Sequence, residues 1–245
     1  MKLIIEKSVT VITPTIGSSK LIDAAVSVES QTYKNIKHLV VVDGPQYMDK
    51  VLELDRNLPH ERRQITVAPE NTGANGFYGH RIYSGYPHLI NSDYIFFLDE
   101  DNWYAPNHVA TLVETLERGQ LDFAFSLRKI YTPDKHYVCD DNCESLGKWP
   151  IYFTHDNPQY LIDTSSFAFN RNFLIQTSQL WHSGWGGDRR YFYSVKDQAR
   201  YDTNGKHTLC YRLDGNPNSV NADFFADGNK KQYEHYKGNF PWIKH

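Results

Sequence analysis

The sequence is poor in cysteine and contains no long apolar run. Its three cysteines, Cys139, Cys143 and Cys210, are an odd number, and no charged and then apolar leader opens the chain. A disulfide framework is therefore not indicated, and a cytoplasmic location is expected. The segment CDDNC lacks the second pair that would complete four zinc ligands. No apolar stretch approaches the about 20 residues that cross a bilayer, so we expect a soluble chain with at most peripheral membrane contact.

An excess of charge of either sign is also missing. The chain has 26 Lys and Arg residues against 29 Asp and Glu residues, which gives a formal net charge of −3. Duplex binding needs a concentrated basic surface, so no nucleic-acid partner is expected. No internal repeat, low-complexity tract or linker divides the 245 residues. We therefore expect one domain over residues 1–245.

The first half does contain a regular alternation of apolar, strand-like runs with helix-like segments. The runs are SVTVIT (8–13), IKHLVVVDG (36–44), RQITVAP (63–69) and DYIFFLD (93–99). Runs that are apolar throughout are typical of strands covered on both faces, as in the parallel sheet of an α/β domain. The clearest helix is predicted from Pro106 to Gly119, because proline stands at its start, apolar residues recur at helical spacing and Gly119 is placed as a C-cap.

The second half follows a looser pattern. Its strand candidates, LDFAFSL and SSFAFN, are short and separated by polar loops, and a helix-like stretch follows at residues 188–200. The sequence therefore predicts an α/β fold with a mostly parallel central sheet, helices on both faces and an α+β second half. Residues 1–120 would hold a nucleotide, and residues 121–245 would complete the site.

Acidic residues crowd the end of the fourth strand, in DYIFFLDEDNWY (93–104). Ligands of open α/β sheets bind beyond the carboxyl ends of the strands. Asp99 and Asp101 stand one residue apart at that position, so both can turn toward a hard divalent cation, which would bridge phosphate oxygens. The alternative reading is a solvated acidic turn.

Several segments in order resemble the inverting glycosyltransferases of family 2, which have the GT-A fold. VTVITPTIG resembles the first nucleotide-binding strand of that family, and SVESQTYKNIKHLVVVDG resembles the helix and second strand that follow it. ENTGANGFYGHRIYSGYPHLINSDYIFFLDEDN is similar to the segment that runs from an Asn-x-Gly turn to the Asp-x-Asp strand. The resemblance implies a nucleotide diphospho-sugar donor and a Mn²⁺ or Mg²⁺ cofactor.

For the donor, the resemblance implies a pocket built from the ends of the first strands. Thr13, Pro14 and Thr15 would shape the nucleotide pocket. Asp43 would accept a hydrogen bond from the imide of a uracil-type base, and Arg81 would lie near the diphosphate. The family often has two acids at the second strand, whereas a glycine follows Asp43 here, which leaves the base preference open. Apart from the resemblance, Asp43 is equally well read as a turn or helix-capping residue.

For the metal, the resemblance implies Asp101 as a ligand and places Asp99 beside it, facing the ribose or the sugar. Glu100 would point away. HTLCYRLDGNPNSV resembles a late segment in which a histidine reaches the metal or the diphosphate. Asp214 stands in the place of that histidine, and His207 lies earlier, so either of them or neither is the third ligand.

For the acceptor, WHSGWGGDRRYFYSV resembles the glycine-containing loop and helix that carry the catalytic acid of the family. Asp188 would be the general base, because an inverting transfer needs a carboxylate that takes the proton of the attacking hydroxyl. Trp181 and Trp185 offer flat apolar faces on which sugars stack. The alternative reading takes Asp188 as a helix cap and the tryptophans as core residues.

These observations predict a metal-dependent, inverting transfer of a sugar, from a nucleotide diphospho-sugar of UDP type, to a hydroxyl of a glycan, a lipid-linked sugar or a small acceptor. One alternative is a nucleotidyltransferase, which should have a glycine-rich basic loop where TPTIGSSK has one glycine and one lysine. Another is a catalytically silent module that binds a sugar or a nucleotide. Only Asp188 in GGDRR speaks against such a module.

Overall fold

The computed structural model of the chain describes residues 6–152, 157–215 and 219–244. The strands in these ranges are β1 (Val9–Thr15), β2 (Ile36–Val42), β3 (Arg63–Val67), β4 (Tyr94–Phe97), β5 (Trp103–Tyr104), β6 (Phe123–Tyr131), β7 (Tyr137–Asp140), β8 (Phe167–Asn170) and β9 (Tyr201–Arg212). The α-helices are α1 (Leu21–Glu29), α2 (Met48–Asp55), α3 (His80–Gly85), α4 (His108–Gly119), α5 (Arg171–Thr177), α6 (Gly187–Val195) and α7 (Ala222–Tyr236). Each apolar run predicted in the first half is a strand.

The described strands form one mixed sheet in the order β3-β2-β1-β4-β8-β6-β9-β5, with β7 paired to β6. The strands β1, β2, β3 and β4 are parallel to one another. Antiparallel pairs begin where β8 joins β4 and β6, whereas β6 and β9 are parallel. The sheet confirms the predicted α/β fold, with a parallel first half and a mixed second half.

Both faces of the sheet are covered because neighbouring strand residues point to opposite sides. Ile12 and Phe97 belong to a core cluster that includes residues of α3, α5 and α6. Val11 and Phe96, their neighbours in β1 and β4, belong to a second cluster with residues of α1 and α4. The apolar runs in the sequence therefore correspond to strands between two layers of helices.

Helix α4 ends differently from the prediction. Gly119 is its last helical residue, and Gln120 after it adopts the left-handed conformation with φ of 46°. A Cβ atom at Gly119 would lie 2.7 Å from Cγ of Leu121. The glycine is therefore explained by the close packing of Leu121, which folds back over the helix end, and not by a left-handed cap.

None of the helices in the described ranges is both long and apolar enough to span a membrane. The three cysteines are free thiols. Cys143 and Cys210 are buried, and Cys139 is partly buried.

Candidate active site

A cavity of about 840 Å³ opens at the carboxyl ends of β1, β2 and β4. Strands that run in the same direction end at the same edge of a sheet, which brings residues distant in sequence together. The first half contributes Pro14, Thr15, Asp43, Glu100 and the pair Asp99 and Asp101 to the lining. The second half contributes Glu144, Asp163, Trp185, Asp188, Tyr211 and Arg212, among others.

Asp43 holds the loop that follows β3. Its Oδ1 accepts hydrogen bonds from the backbone N–H of Thr72 at 2.7 Å and from the Thr72 hydroxyl at 2.6 Å. Its Oδ2 accepts from the N–H of Gly73 at 2.9 Å. Asp43 thus lies in the cavity wall as expected and also has the turn-stabilising role that the sequence left open.

Asp99 is held at both carboxylate oxygens. The Tyr83 hydroxyl donates to Oδ1 at 2.9 Å, and the Ser165 hydroxyl donates to Oδ2 at 3.1 Å. Burial, together with the negative charges of Asp101 and Asp163, raises the pKa of Asp99 to about 8. These contacts fix the orientation of the carboxylate at the end of β4.

Glu100 is turned toward the first strand. Its carboxylate accepts hydrogen bonds from the Thr15 hydroxyl and from the backbone N–H groups of Ile16 and Ser18. Asp101, the next residue, lines the cavity, and burial raises its pKa whereas the nearby charge of Lys20 lowers it. Asp99 and Asp101 therefore line the same cavity, and the carboxylate of Glu100 between them binds the loop that follows β1.

The lining of the cavity is acidic. Among the described residues that line it, eight are Asp or Glu and four are Arg. Two of the four arginines are already paired, Arg128 with three carboxylates and Arg212 with Asp23. A diphosphate placed here would meet like charge unless a cation lay between them.

The residues present fit a divalent cation that the protein holds through few ligands. Within the described part of the chain, no three His, Cys, Asp or Glu side chains form a group that could hold a metal by themselves. Mg²⁺ is commonly bound through one or two carboxylates and completes its octahedron with water and substrate phosphates. The pair Asp99 and Asp101 matches that smaller ligand set.

The two candidates for a third ligand differ in position. Asp214 lines the cavity and accepts a hydrogen bond from the Ser219 hydroxyl at 2.8 Å. His207 is not among the lining residues: its Nε2 lies 3.3 Å from the carbonyl oxygen of Asp141, and its Nδ1 lies 3.7 Å from Asp140. His207 lies in β9 opposite Leu127 of β6 and contacts Asp140 and Asp141 instead of the cavity.

Asp188 lies in the first turn of α6 and lines the cavity. The N-cap position belongs to Gly186, which has a left-handed conformation with φ of 74°, so Asp188 is not the cap of this helix. Burial and the negative charges of Asp163 and Glu144 raise the pKa of Asp188 to about 7. A carboxyl group with that pKa is suited to accept a proton near neutral pH.

The two tryptophans near Asp188 have different environments. Trp185 lines the cavity and is 78% exposed. Trp181 is fully buried, stacks on Tyr191 with ring centroids 4.6 Å apart and packs edge-on against Phe97. The predicted sugar-stacking role is therefore corrected for Trp181, which is a core residue, because the short 3₁₀ turn Ser178–Trp181 directs its ring against Phe97 of β4 and Phe167 of β8.

Two further predicted residues lie outside the cavity. Thr13 is fully buried two residues inside the end of β1, and its hydroxyl is 2.9 Å from Nε2 of His38. The guanidinium of Arg81 stacks 3.5 Å from the ring centroid of Phe77 and donates to the carbonyl oxygen of Thr72. These contacts turn both side chains away from the expected nucleotide pocket, whereas Pro14 and Thr15 do line it.

The sequence did not predict a buried ionic cluster that lies at the floor of the cavity. Arg128 donates to Asp141 at 2.7 and 2.9 Å, to Glu144 at 2.6 Å and to Asp163 at 2.9 Å. The Tyr211 ring covers its guanidinium at 4.6 Å. The available signal was Arg128 directly after the mostly apolar run FAFSL, since a charged side chain that is buried in a strand requires partners.

The loop after β3 and the loop before α6 meet at the cavity mouth. Nδ1 of His80 lies 2.8 Å from the carbonyl oxygen of Ser183, and a Cβ atom at Gly184 would lie 3.0 Å from the carbonyl oxygen of Gly76. Tyr78, a second exposed aromatic residue that the sequence reading missed, lines the cavity from the first of these loops. The two halves of the chain thus enclose one site.

Solved structures with the same architecture include those of S. aureus TarS. The TarS fragment 1-349 in complex with UDP is 14% identical, with a TM-score of 0.59 over 95% of this chain and 73% of that fragment. The same fragment in complex with UDP-GlcNAc is 14% identical, with a TM-score of 0.60 over 96% of this chain and 67% of the fragment. At this identity the likeness shows the fold, which is the GT-A fold.

Two comparisons rest on sequence. An uncharacterized protein of Haemophilus influenzae is 27% identical over 113 residues, which are 38% of this chain and 76% of that protein. The family model described as glycosyl transferase family 2 matches residues 10–184, which include β2 to β4 and the acidic strand end and stop within the loop before α6. The chain therefore belongs to glycosyl transferase family 2 and is a glycosyltransferase.

Proposed function

We propose that the protein transfers a sugar from a UDP-type nucleotide diphospho-sugar to a hydroxyl group of a glycan, a lipid-linked sugar or a small acceptor, with inversion at the anomeric carbon. The observation that carries this proposal is that Asp188 and the pair Asp99 and Asp101 open into the same cavity. A proton acceptor and a site for a charged leaving group are the two parts that a single-displacement transfer requires.

Two observations support the assignment of the donor: the fold, and the residues that the first half of the chain contributes to the cavity wall. TarS, which has the same fold, has been solved with UDP and with UDP-GlcNAc. In this chain Pro14, Thr15 and Asp43 line the part of the cavity formed by the ends of β1 and β2. A nucleotide would lie there, because this is the crevice in which α/β sheets bind nucleotides.

Asp99 and Asp101 would hold a Mn²⁺ or Mg²⁺ ion together with the donor diphosphate. The ion would neutralise the negative charge of the diphosphate leaving group. The acidic lining supports this proposal, since four arginines face eight carboxylates and two of these arginines are already paired.

Asp188 would act as the general base. Its carboxylate takes the proton of the acceptor hydroxyl, the hydroxyl oxygen forms a bond to the anomeric carbon, and the nucleoside diphosphate leaves with the electron pair of the broken bond. The exposed face of Trp185 lies in the same lining and would carry the apolar face of the acceptor. The free thiols are compatible with a cytoplasmic enzyme.

The test compares the wild-type protein with Asp188→Asn in two measurements. Asparagine keeps the size of the side chain but cannot accept the proton, so transfer from a UDP-sugar should fall by about 10²–10⁴-fold. Donor affinity, measured by calorimetry with Mn²⁺, should remain near the wild-type value. Asp197→Asn is the matched control, because Asp197 is exposed and pairs with Lys196 at 2.9 Å; this variant should keep full activity.

Each alternative predicts a different outcome of this experiment or, for the nucleotidyltransferase, of an added assay with UTP and a sugar phosphate. Unchanged transfer by Asp188→Asn would remove the catalytic assignment. A silent binding module would bind UDP but transfer no sugar in either form, whatever acceptor is offered. A nucleotidyltransferase would release pyrophosphate from UTP and a sugar phosphate, and so would overturn the proposed reaction.

A further inference from the structure

The segment DTSSFAFN, which includes β8, carries a short turn that touches the Asp-x-Asp pair. This 3₁₀ turn, Thr164–Ser166, lies between the buried ionic cluster and the end of β4. Its central residue, Ser165, is fully buried. The proposed reaction assigns no part to this residue.

The hydroxyl of Ser165 makes three hydrogen bonds, and all three go to residues 99 and 102. It accepts from the backbone N–H of Asp99 at 2.9 Å and from Nδ2 of Asn102 at 3.3 Å, and it donates to Oδ2 of Asp99 at 3.1 Å. A serine hydroxyl has one donor and two acceptor positions. The one donor and both acceptor positions of the Ser165 hydroxyl are therefore used in hydrogen bonds to the turn that carries Asp99 and Asp101.

The serine is itself held in place from the opposite side. Oδ1 of Asp163 accepts from the backbone N–H of Ser165 at 2.9 Å, and Oδ2 of Asp163 accepts from Arg128 at 2.9 Å. Asp141 and Glu144 complete the partners of that arginine. A continuous chain of contacts thus runs from the cluster on the cavity floor, through Ser165, to Asp99.

We propose that Ser165 is a positioning residue of the donor site, whose hydroxyl fixes the turn of residues 99–102 so that the carboxylate of Asp99 is presented to the cation and the donor diphosphate. This inference rests on the proposed function, since it needs a cation at Asp99 and Asp101. It adds to the donor site a residue to which the sequence analysis assigned no role.

The neighbouring Ser166 provides a matched control. It belongs to the same turn and is also fully buried, but its hydroxyl has no hydrogen-bond partner among the described residues. Ser166→Ala removes the same atom from the same turn without touching Asp99. Removal of an unpaired buried hydroxyl is expected to leave the fold unchanged or slightly more stable.

The experiment measures UDP affinity by calorimetry, with Mn²⁺ and with EDTA, for the wild-type protein, Ser165→Ala and Ser166→Ala. Ser165→Ala should weaken UDP binding in Mn²⁺ by roughly 10- to 100-fold, the range expected when a hydrogen bond to a charged group is lost. Its affinity in EDTA should equal that of the wild-type protein in EDTA. Ser166→Ala should match the wild-type protein in both conditions.

A second variant separates positioning from loss of the fold. Ser165→Cys keeps nearly the same volume but is a weak hydrogen-bond donor, so it should reproduce most of the loss in Mn²⁺ with a melting temperature near that of the wild-type protein. Ser165→Ala or Ser165→Cys that binds UDP and Mn²⁺ as the wild-type protein does would overturn the positioning role, and so would an equal loss in EDTA. A wild-type protein that binds UDP equally with Mn²⁺ and with EDTA would instead remove the metal from the proposed function, and the role of Ser165 with it.

Discussion

At the scale of single residues, the main question is when Asp188 carries a charge. The pKa of this carboxyl group is raised to about 7 by desolvation and by the negative charges of Asp163 and Glu144. The folded protein therefore binds a proton at Asp188 more tightly than the unfolded chain does. It follows that ionisation of Asp188 costs stability as the pH rises from the ordinary value of an aspartate toward about 7.

Catalysis should have the opposite dependence on pH. Only the ionised carboxylate accepts a proton, so kcat should rise with pH and level off above about pH 7. The check is a series of initial rates at saturating donor from about pH 5.5 to about pH 8.5, with donor affinity measured at each pH so that binding and chemistry are separated. A kcat that does not change across this range would contradict Asp188 as the base.

The surroundings of single side chains were the feature that the sequence predicted least well. Trp181 and Trp185 are four positions apart in one glycine-containing segment, yet one is fully buried and the other is 78% exposed. Thr13 and Thr15 are two positions apart in β1, yet only Thr15 lines the cavity. Residue type predicted the chemistry of these positions, but whether each side chain reaches the cavity depends on contacts with other elements, such as those of Thr13 with His38 and of Trp181 with Tyr191 and Phe97.

At the scale of structural elements, the loop after β3 depends on one glycine. Gly73 lies where the carboxylate of Asp43 meets the backbone of Tyr78, and an added Cβ atom would come within 2.5 Å of Oδ2 of Asp43 and of the carbonyl oxygen of Tyr78. Both neighbours are fixed, Asp43 by its bonds to Thr72 and Gly73, and Tyr78 by a backbone bond to Gly73. The loop can therefore not accept a side chain at this position without moving.

We expect Gly73→Ala to destabilise the protein by about 1–3 kcal/mol and to weaken UDP binding by about tenfold or more, because the charged hydrogen bonds of Asp43 are disturbed. Thermal unfolding and calorimetric titration with UDP and Mn²⁺ measure the two effects. Gly85→Ala is the control: a Cβ atom at this position in α3 would meet no atom within 4 Å, and the variant should be unchanged or more stable by about 0.4–1 kcal/mol. Wild-type donor affinity in Gly73→Ala would show that the loop does not shape the nucleotide pocket.

Elements were predicted better than residues because apolar periodicity depends on local sequence. The four parallel strands and the helix at residues 108–119 were all expected from runs of apolar residues. The pairing of β8 with β4 and β6 was not expected, since SSFAFN reads as a short strand without indicating its neighbours. The ionic cluster around Arg128 was missed for the same reason, because its partners lie on loops whose positions follow from that pairing.

At the scale of the whole molecule, the two halves of the chain share one core. Phe97 in the first half packs against Phe169 and Trp181 in the second half, with ring centroids 5.1 and 5.3 Å apart. β4 pairs with β1 on one side and with β8 on the other. The sheet of the first half is thus completed by a strand from the second half of the chain.

We therefore expect the protein to unfold in one cooperative transition, seen as a single peak in scanning calorimetry, and a fragment of residues 1–120 not to fold alone. Such a fragment would leave Ile95 and Phe96 without their β8 partners at an open sheet edge. Circular dichroism of the fragment beside the intact chain checks the second point. Two separate transitions, or a folded fragment, would show that the halves are independent.

The place of β8 between β4 and β6 also sets an order of events during synthesis of the chain. β4 is complete at Phe97, but its second neighbour does not exist until Asn170 has been added. At ribosomal rates of about 5–20 residues per second, that interval lasts on the order of ten seconds. During this time the edge of the parallel half is open to other nascent chains, so we expect the yield of soluble protein to depend on chaperones that cover it until β8 arrives.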